Sequence, residues 1–441
     1  MKIADWGNYP TVDATVKSFS NTKNLRKVLS EFQNSITRGL GRCYGDSALW
    51  QNIISSLKLN RMLEFKEYAG ILTCEAGVSL KEILEVFVPR GWFLPVTPGT
   101  KFVTVGGAIA ADVHGKNHHK EGTFSDHLLS VKIMLPDGSI LRCSETENPE
   151  ILKAICGGMG LTGIILHATF KLRKIETAFI KQKTVKARDI NEIMNLFKKH
   201  DSSTYSVAWI DCLATGNSLG RSILILGEHA MVDDLKGLNI SEGPLDVKKK
   251  KKFTIPFTLP DFVLNQFTAR AFNALYYTSS SQKRCSIVDY DTFFYPLDRV
   301  NNWNKLYGST GFTQYQCVLP KQVSQKGLKE ILNMISTSGI GSFLAILKLM
   351  GPANSNLISF PMEGYTLALD FPITAKLFPF LDELDKIVLE YGGRLYLAKD
   401  ARMSGEMFRN SYPGAQKFID FKHKIDPETK LRSLQSNRLN I

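Results

Sequence analysis

The stretch PGTKFVTVGGAIAADVHGKNHH, residues 98–119, decides how the rest of the chain is read. It sets Gly106, Gly107, Ala108, Ala110 and Ala111 in a run of small residues, followed by His114, Lys116, Asn117, His118 and His119. Small side chains in series let a backbone come close to something flat or phosphorylated, because no Cβ branch stands in the way. Polar and basic groups directly after the run then sit at the edge of whatever the backbone cradles. This pattern suits a chain that wraps a flavin and hands it over to catalytic residues.

Upstream, residues 37–47 read TRGLGRCYGDS, a glycine-rich loop carrying Arg38 and Arg42. Free backbone N–H groups beside two arginines suit a pyrophosphate, and a plain surface turn would have the same composition. Before it, residues 24–33 show the spacing of a short amphipathic helix, with Leu25, Val28, Leu29 and Phe32 on one face. Downstream, residues 71–77 read as a strand and 80–88 as a helix. Asp137-Gly138 joins two strands (131–136 and 139–143) as a hairpin, and Asn148 is placed to cap a helix running through Ile155. Residues 157–163, GGMGLTG, contain a formal GxGxxG. A nicotinamide-dinucleotide turn needs strand, loop and helix in that order, whereas here a helix precedes and a strand (164–172) follows. That class of cofactor is set aside.

His114 and His118 stand four apart, but Gly115 and Asn117 argue against a helix and no HExxH glutamate is present, so no metal is expected. His114 alone fits either a core histidine bonded to backbone or a group at a ligand's edge. GxSxG and GxxxxGK[ST] are absent, which removes the usual signals of serine hydrolases and P-loop enzymes. Near the C-terminus, residues 395–398 read as a strand delivering Lys399 and Asp400, with a helical pattern following. Such a lysine is either solvated or, in a closed site beside other cations, depressed in pKa and able to take a proton.

At 441 residues, with 44% hydrophobic and 22% charged residues, the chain is long enough for two or three domains. Its seven cysteines are scattered and never form CxxC, which points to a reducing compartment. No secretory signal or membrane-spanning run is read, so the expected location is cytoplasmic, with peripheral contact to the inner face of the cell membrane an option. A net charge of +13 favours an anionic partner. Without nucleic-acid-binding signatures, a phosphorylated ligand or an acidic membrane remains. After Lys174 the composition shifts to a second apolar population rich in Phe and Tyr. This part holds five consecutive lysines, Lys248 to Lys252, and then apolar-aromatic tracts at 253–264 and 267–277. The lysines are either a solvated loop or a contact with anionic lipid.

Several segments recur together and in order: RGLGRCYGDSAL (38–49), residues 98–119, GGMGLTGIILHATF (157–170), TQYQ (313–316), FLAILKLMGP (343–352), LDFPI (369–373) and GGRLYLAKDAR (392–402). Over nearly the whole chain, loosely only between 174 and 284, they resemble the flavoprotein subunits of decaprenylphosphoryl-β-D-ribose 2′-epimerases. These belong to the vanillyl-alcohol-oxidase-type, or PCMH-type, FAD superfamily. The resemblance implies an α+β fold, with an FAD-binding domain of two α+β subdomains (1–176) and a substrate domain with an antiparallel sheet (177–393). A C-terminal segment (394–441) would return to the FAD domain. It further implies oxidation of the 2′-hydroxyl of a polyprenylphosphoryl ribose to the 2′-keto sugar, with hydride passing to FAD. A separate NADH- or NADPH-dependent reductase would complete the epimerisation to the arabinose.

By similarity, Thr37, Arg38, Gly39, Leu40, Gly41, Arg42, Cys43, Tyr44, Gly45, Asp46 and Ser47 would hold the pyrophosphate. Gly99, Thr104, Val105, Gly106, Gly107, Ala111, Asp112, Val113, His114, Ile165 and Tyr396 would line the rest of the cofactor. Lys399 matches the family's active-site lysine, with Tyr44 and His114 at the active-site wall. Lys116, Gln314, Gln316 and Lys348 match groups facing the sugar-phosphate pocket. Three positions depart from the pattern. Arg42 stands where many superfamily members carry a flavin-linked His, which implies non-covalent FAD. Ala368 replaces the Cys of mycobacterial members. Phe294, also at the substrate side, replaces a Tyr. An oxidase or dehydrogenase of a soluble sugar, alditol or aldonolactone shares the FAD domain and is the alternative, and a flavin-binding protein without turnover is a third reading.

Overall fold

Helix Thr22–Glu31 begins two residues before the apolar spacing predicts, because Asn21 caps it by accepting from the Asn24 backbone N–H at 2.9 Å. Leu25, Val28 and Leu29 bury against Phe19, Phe32, Ile54 and Leu166, each contributing about 2 kcal/mol of apolar burial. This helix links Thr15–Ser18 to Ile36–Arg38, and both strands pair in parallel with Asn52–Ser55. The computed structural model describes residues 1–237, 243–248, 250–260, 265–280, 282–342 and 344–441.

A five-stranded antiparallel sheet follows, in the order Ile140–Cys143, Leu128–Met134, Ile164–Lys171, Ile71–Glu75, Met62–Lys66. The expected hairpin at Asp137-Gly138 is present: Gly138 takes φ +84°, and Asp137 Oδ1 accepts from the Ser139 N–H at 2.8 Å. Ser79 and Glu82 form a reciprocal capping box that starts helix Leu80–Phe87. Around GGMGLTG the order is helix Pro149–Ile155, loop, strand Ile164–Lys171, the reverse of a dinucleotide turn. Asn148 stands at the N-cap position of that helix, as expected, but in the left-handed region and without a side-chain cap bond, its amide donating instead to the Arg142 carbonyl at 2.7 Å.

The third sheet has eight antiparallel strands. Their order is Lys283–Asp289, Phe179–Ala187, Ser222–His229, Tyr205–Ile210, Ala345–Met350, Gly364–Pro372, Phe312–Pro320 and Arg394–Leu395. Side chains alternate across it. Leu224, Leu226, Leu347 and Leu367 on one face enter the core with helices Ile190–Lys199, Ser324–Ser338 and Leu377–Glu390. The opposite face looks into a cavity against the first two sheets. Two hydrogen bonds tie that face to the end of the small-residue stretch: Ser206 N–H to Lys116 O (2.8 Å) and Gly351 N–H to His118 Nδ1 (3.0 Å).

The C-terminal segment departs from the sequence reading at its start. Arg394–Leu395 still pairs with Val318 and Cys317 in the eight-stranded sheet, so the return begins only at Tyr396. The strand expected over 395–398 stops at Leu395. A turn closed by the Lys399 N–H on the Tyr396 carbonyl (2.9 Å) then aims the lysine. From there the segment crosses to the glycine-rich loop and the small-residue stretch, with the Tyr44 N–H donating to Ala398 O and the Tyr396 hydroxyl to Ala111 O.

Candidate active site

Between the sheets lies a cavity of about 1780 Å³, larger than a single drug-sized ligand needs. One wall is mainly backbone and small side chains. It holds Thr37, Gly39 to Tyr44, Ser47, Gly99, Thr104, Gly106, Gly107, Ala111, Val113, His114 and Ile165. Thr104 caps helix Val105–Ala110 by accepting from the Gly107 N–H at 3.1 Å, and a Cβ on Gly39 would come within 2.4 Å of the same hydroxyl. The pyrophosphate-type loop and the small-residue stretch therefore touch, and only glycine allows it. Gly45 meets the returning chain in the same way, its hypothetical Cβ 1.7 Å from Asp400 O.

Five of the expected cofactor positions do not line the cavity. Arg38 turns away to pair with Asp5 at 2.9 Å and to donate to Ala4 O at 2.7 Å. Gly45 is spent on the contact with Asp400. Asp46 binds Arg438 at 2.8 Å, tying the loop to the last helix. Val105 is fully buried in the apolar core. Asp112, also fully buried, accepts from Asn354, Asn356 and Ser359 at 2.6–2.9 Å. These residues shape the wall from behind.

The second wall is made of long side chains. Lys348, Gln314 and Gln316 reach into the cavity from the eight-stranded sheet, and Lys399 and Tyr396 from the returning segment. The Lys399 ammonium stands 3.6 Å from the centroid of the Tyr44 ring. Burial lowers its pKa, and Lys348 adds to that, while Asp370 pulls the other way. Asp370, on the neighbouring strand, is fully buried and accepts from Gln314 Nε2 at 2.5 Å and the Tyr307 hydroxyl at 3.4 Å. Burial raises its pKa, so the same desolvation pushes both members of the pair toward their neutral forms. Lys348 is lowered to about 8 by burial alone.

His114 is held as a neutral ring. The Thr366 hydroxyl donates to Cys317 O at 2.8 Å and so accepts from Gln316 Nε2 at 3.1 Å. The same amide nitrogen faces His114 Nε2 at 3.2 Å, which makes Nε2 the acceptor and leaves the proton on Nδ1. Burial, with Lys348 next in weight, keeps the pKa of His114 well below its usual value. His118 and His119 point elsewhere, to the Gly351 N–H and to Ser203 O. Among the described residues no cluster able to hold a metal is present. Lys116 lines the cavity, but its amine already donates to the Phe293 and Phe294 carbonyls at 2.9 and 3.1 Å. That leaves at most one donor for a ligand. Phe294 packs edge-on to Tyr205 at 4.9 Å and adds only an apolar surface.

Sequence motifs had given no role to Asp370 or Tyr307. Asp370 sits in the LDFPI segment, but its coupling to Lys399 depends on two strands and a turn far apart in the chain. The lysine run also differs from a freely solvated loop. Lys250 binds Asp289 and Thr292, and Lys252 lies over the Phe102 ring at 4.7 Å on the cavity wall. Lys249, residues 261–264 of the aromatic tract and Phe343 lie outside the described residues.

Among the described residues, three buried polar groups that line the cavity have no hydrogen-bond partner: Thr37 Oγ1, Arg42 Nε and His114 Nδ1. Arg42 is stacked 4.0 Å from the Trp6 ring centroid, its guanidinium fixed in place. Unmet donors above a wall of glycine and alanine fit a flat, phosphorylated cofactor of FAD's chemistry. Comparison with known proteins agrees. A model of the FAD binding domain matches residues 18–144. Decaprenylphosphoryl-β-D-ribose oxidase of Mycolicibacterium smegmatis is 35% identical over 452 aligned positions, covering 100% of this chain and 97% of that protein. L-gulonolactone oxidase of Mus musculus is more distant, at 22% over 84% of this chain and 81% of its own. The chain is an FAD-dependent oxidoreductase and belongs to the decaprenylphosphoryl-β-D-ribose oxidase family.

Proposed function

We propose that this protein oxidises the 2′-hydroxyl of a polyprenylphosphoryl-β-D-ribose to the 2′-keto sugar. Oxidation of a carbinol removes a hydride from carbon and a proton from oxygen. FAD, when bound, supplies the hydride acceptor. The protein's part is to orient the carbinol, exclude water and take the proton. Lys399 is the group proposed to take it: a buried amine whose pKa is depressed has a neutral fraction able to accept a hydroxyl proton. Asp370, Gln314 and Tyr44 fix that amine's surroundings. Lys348 has a charge suited to the substrate phosphate, and an arriving phosphodiester anion would draw its pKa back up. Gln316 and His114 form the polar edge beside it.

The observation that carries this reading is the convergence of Lys399 and Lys348 with Gln314 and Gln316 on one cavity wall, facing the small-residue wall. A cationic Lys348 beside a proton-accepting Lys399 and two amides suits a sugar phosphate better than an uncharged lactone. Anaerobic mixing with farnesylphosphoryl-β-D-ribose should bleach the flavin, whereas free ribose and L-gulono-1,4-lactone should not. Bleaching by the lactone and not by the prenyl sugar would select the soluble-substrate alternative.

Three further readings belong here. The FAD is proposed to be non-covalent, since Arg42 occupies the loop position where a linked histidine would stand; acid precipitation should release all the flavin. A keto sugar needs a separate NADH- or NADPH-dependent reductase to become the arabinose, and residues 157–163 do not form a dinucleotide turn. Peripheral membrane contact near the lysine run is supported by exposed Lys248, Lys251, Phe253 and Phe257. Among the described residues no helix is long and apolar enough to cross a membrane. Co-sedimentation with phosphatidylglycerol vesicles, weakened by salt, tests the contact.

A further inference from the structure

The inner face of the eight-stranded sheet changes character along one row of paired residues. Gln316 pairs with Ala368, Ala368 with Ile346, Ile346 with Trp209, and Trp209 with Ile223. Four strand spacings separate Gln316 from Ile223, about 19 Å. The row therefore runs from the polar catalytic end, past a small side chain, onto three large apolar ones. All five line the cavity. A parallel row runs the other way: Val207 pairs with Ile225, Ile225 with Thr184, and Thr184 with Arg284, so there the apolar band gives way to polar residues at the outer strand.

We propose that this band is a channel for the hydrocarbon tail of the substrate, which crosses the sheet from the Lys348 end and leaves beneath helix Gln266–Ser279. The inference rests on the polyprenyl-phosphate reading above and says where that lipid goes. Tyr276 meets Trp209 edge-on at 4.8 Å, and Phe272 stacks on Tyr276 at 5.9 Å, so the helix roofs the band with aromatic rings. Both rings line the cavity, and Phe272 is 52% exposed. On the same helix Phe267 and Leu275 are 81% and 68% exposed, which continues the apolar surface outward from the channel. An apolar lumen opening from a cationic site matches an amphiphile with an anionic head and a hydrocarbon tail. A free sugar or lactone would leave the band in contact with water.

The test compares farnesylphosphoryl-β-D-ribose with methylphosphoryl-β-D-ribose as reductants of the holoenzyme's flavin. The KM advantage of the farnesyl compound should fall about tenfold or more in Ile223→Asn and in Ile346→Asn. Ile223→Phe, which keeps the band apolar and narrows it, should also reduce that advantage. Wild-type enzyme active on both compounds, with a KM ratio that none of the variants moves, overturns the channel. Wild-type enzyme reduced by neither overturns the substrate reading instead. In that case calorimetry with farnesyl phosphate still decides the channel: binding by the wild type that weakens about tenfold in Ile223→Asn supports it, and equal binding or none overturns it. Flavin content and melting temperature identify any variant that fails to fold. Competition then takes its place, with farnesyl phosphate expected to inhibit the wild type about tenfold more strongly than methyl phosphate. Equal inhibition overturns the channel.

Discussion

The two walls of the cavity are built by different means. The wall from residues 37–47 and 99–114 presents backbone and small side chains, and several of its larger residues are turned outward to brace it. The wall from the eight-stranded sheet presents lysines, glutamines and large apolar groups at alternate positions. The first is read by close approach, so adding one carbon breaks it. The second is read by side-chain chemistry, so it can be altered without losing the fold.

Exchanges on each wall can break or sharpen that contrast. The largest effect is expected from Lys399→Ala, which should slow anaerobic flavin reduction about 10²–10⁴-fold while FAD stays bound; stopped-flow absorbance measures both. Loss of FAD in this variant would blur the division between the walls. Gly45→Ala should do the opposite. The methyl group cannot fit against Asp400 O, and a stability loss of about 3 kcal/mol with poor flavin retention is expected in denaturant titration.

Next comes pH. The rate of flavin reduction should rise with pH by up to about tenfold per unit, as Lys399 loses its proton. That limb should lie below the ordinary lysine value of 10.5, because burial and Lys348 lower this amine. A limb near 10.5 would mean that the site is open to water. Lys348→Met should raise KM for the prenyl phosphoribose about tenfold with a smaller change in kcat.

The smallest effect concerns stability. Lys116 and Lys348 are lowered to about 7 and about 8, mainly by burial, with Lys348 also acting on Lys116. Unfolded lysines near 10.5 therefore hold protons that the native ones have shed. The unfolded state binds more protons over that window, so stability should rise with pH from about 7 toward 10.5. Lys348→Met should flatten the slope. A melting temperature that falls across the window in the wild type would contradict the buried placement of these amines.

Local patterns carried much of this. Helix Thr22–Glu31 was legible from its apolar spacing, and the Asp137-Gly138 hairpin from its turn residues, because both depend on neighbours in sequence. Where partners are remote, the reading weakened. The outward turn of Arg38 and Asp46 depends on Asp5 and Arg438, which no local pattern announces. Lys250 looked like part of a solvated run but binds Asp289, thirty-nine residues away.

The amino-acid order by itself determined that small residues crowd one stretch, that a glycine-rich loop and a late lysine accompany it, and that a flavin cofactor suits them. These are properties of steric bulk and local backbone preference, which a chain carries before it folds. Only the tertiary structure decided which lysines lose water, which tautomer His114 adopts and that an apolar row leads away from the end holding Lys399 and Lys348. Those depend on desolvation and on strand pairing between distant segments, and neither exists until the sheet closes over the small-residue wall.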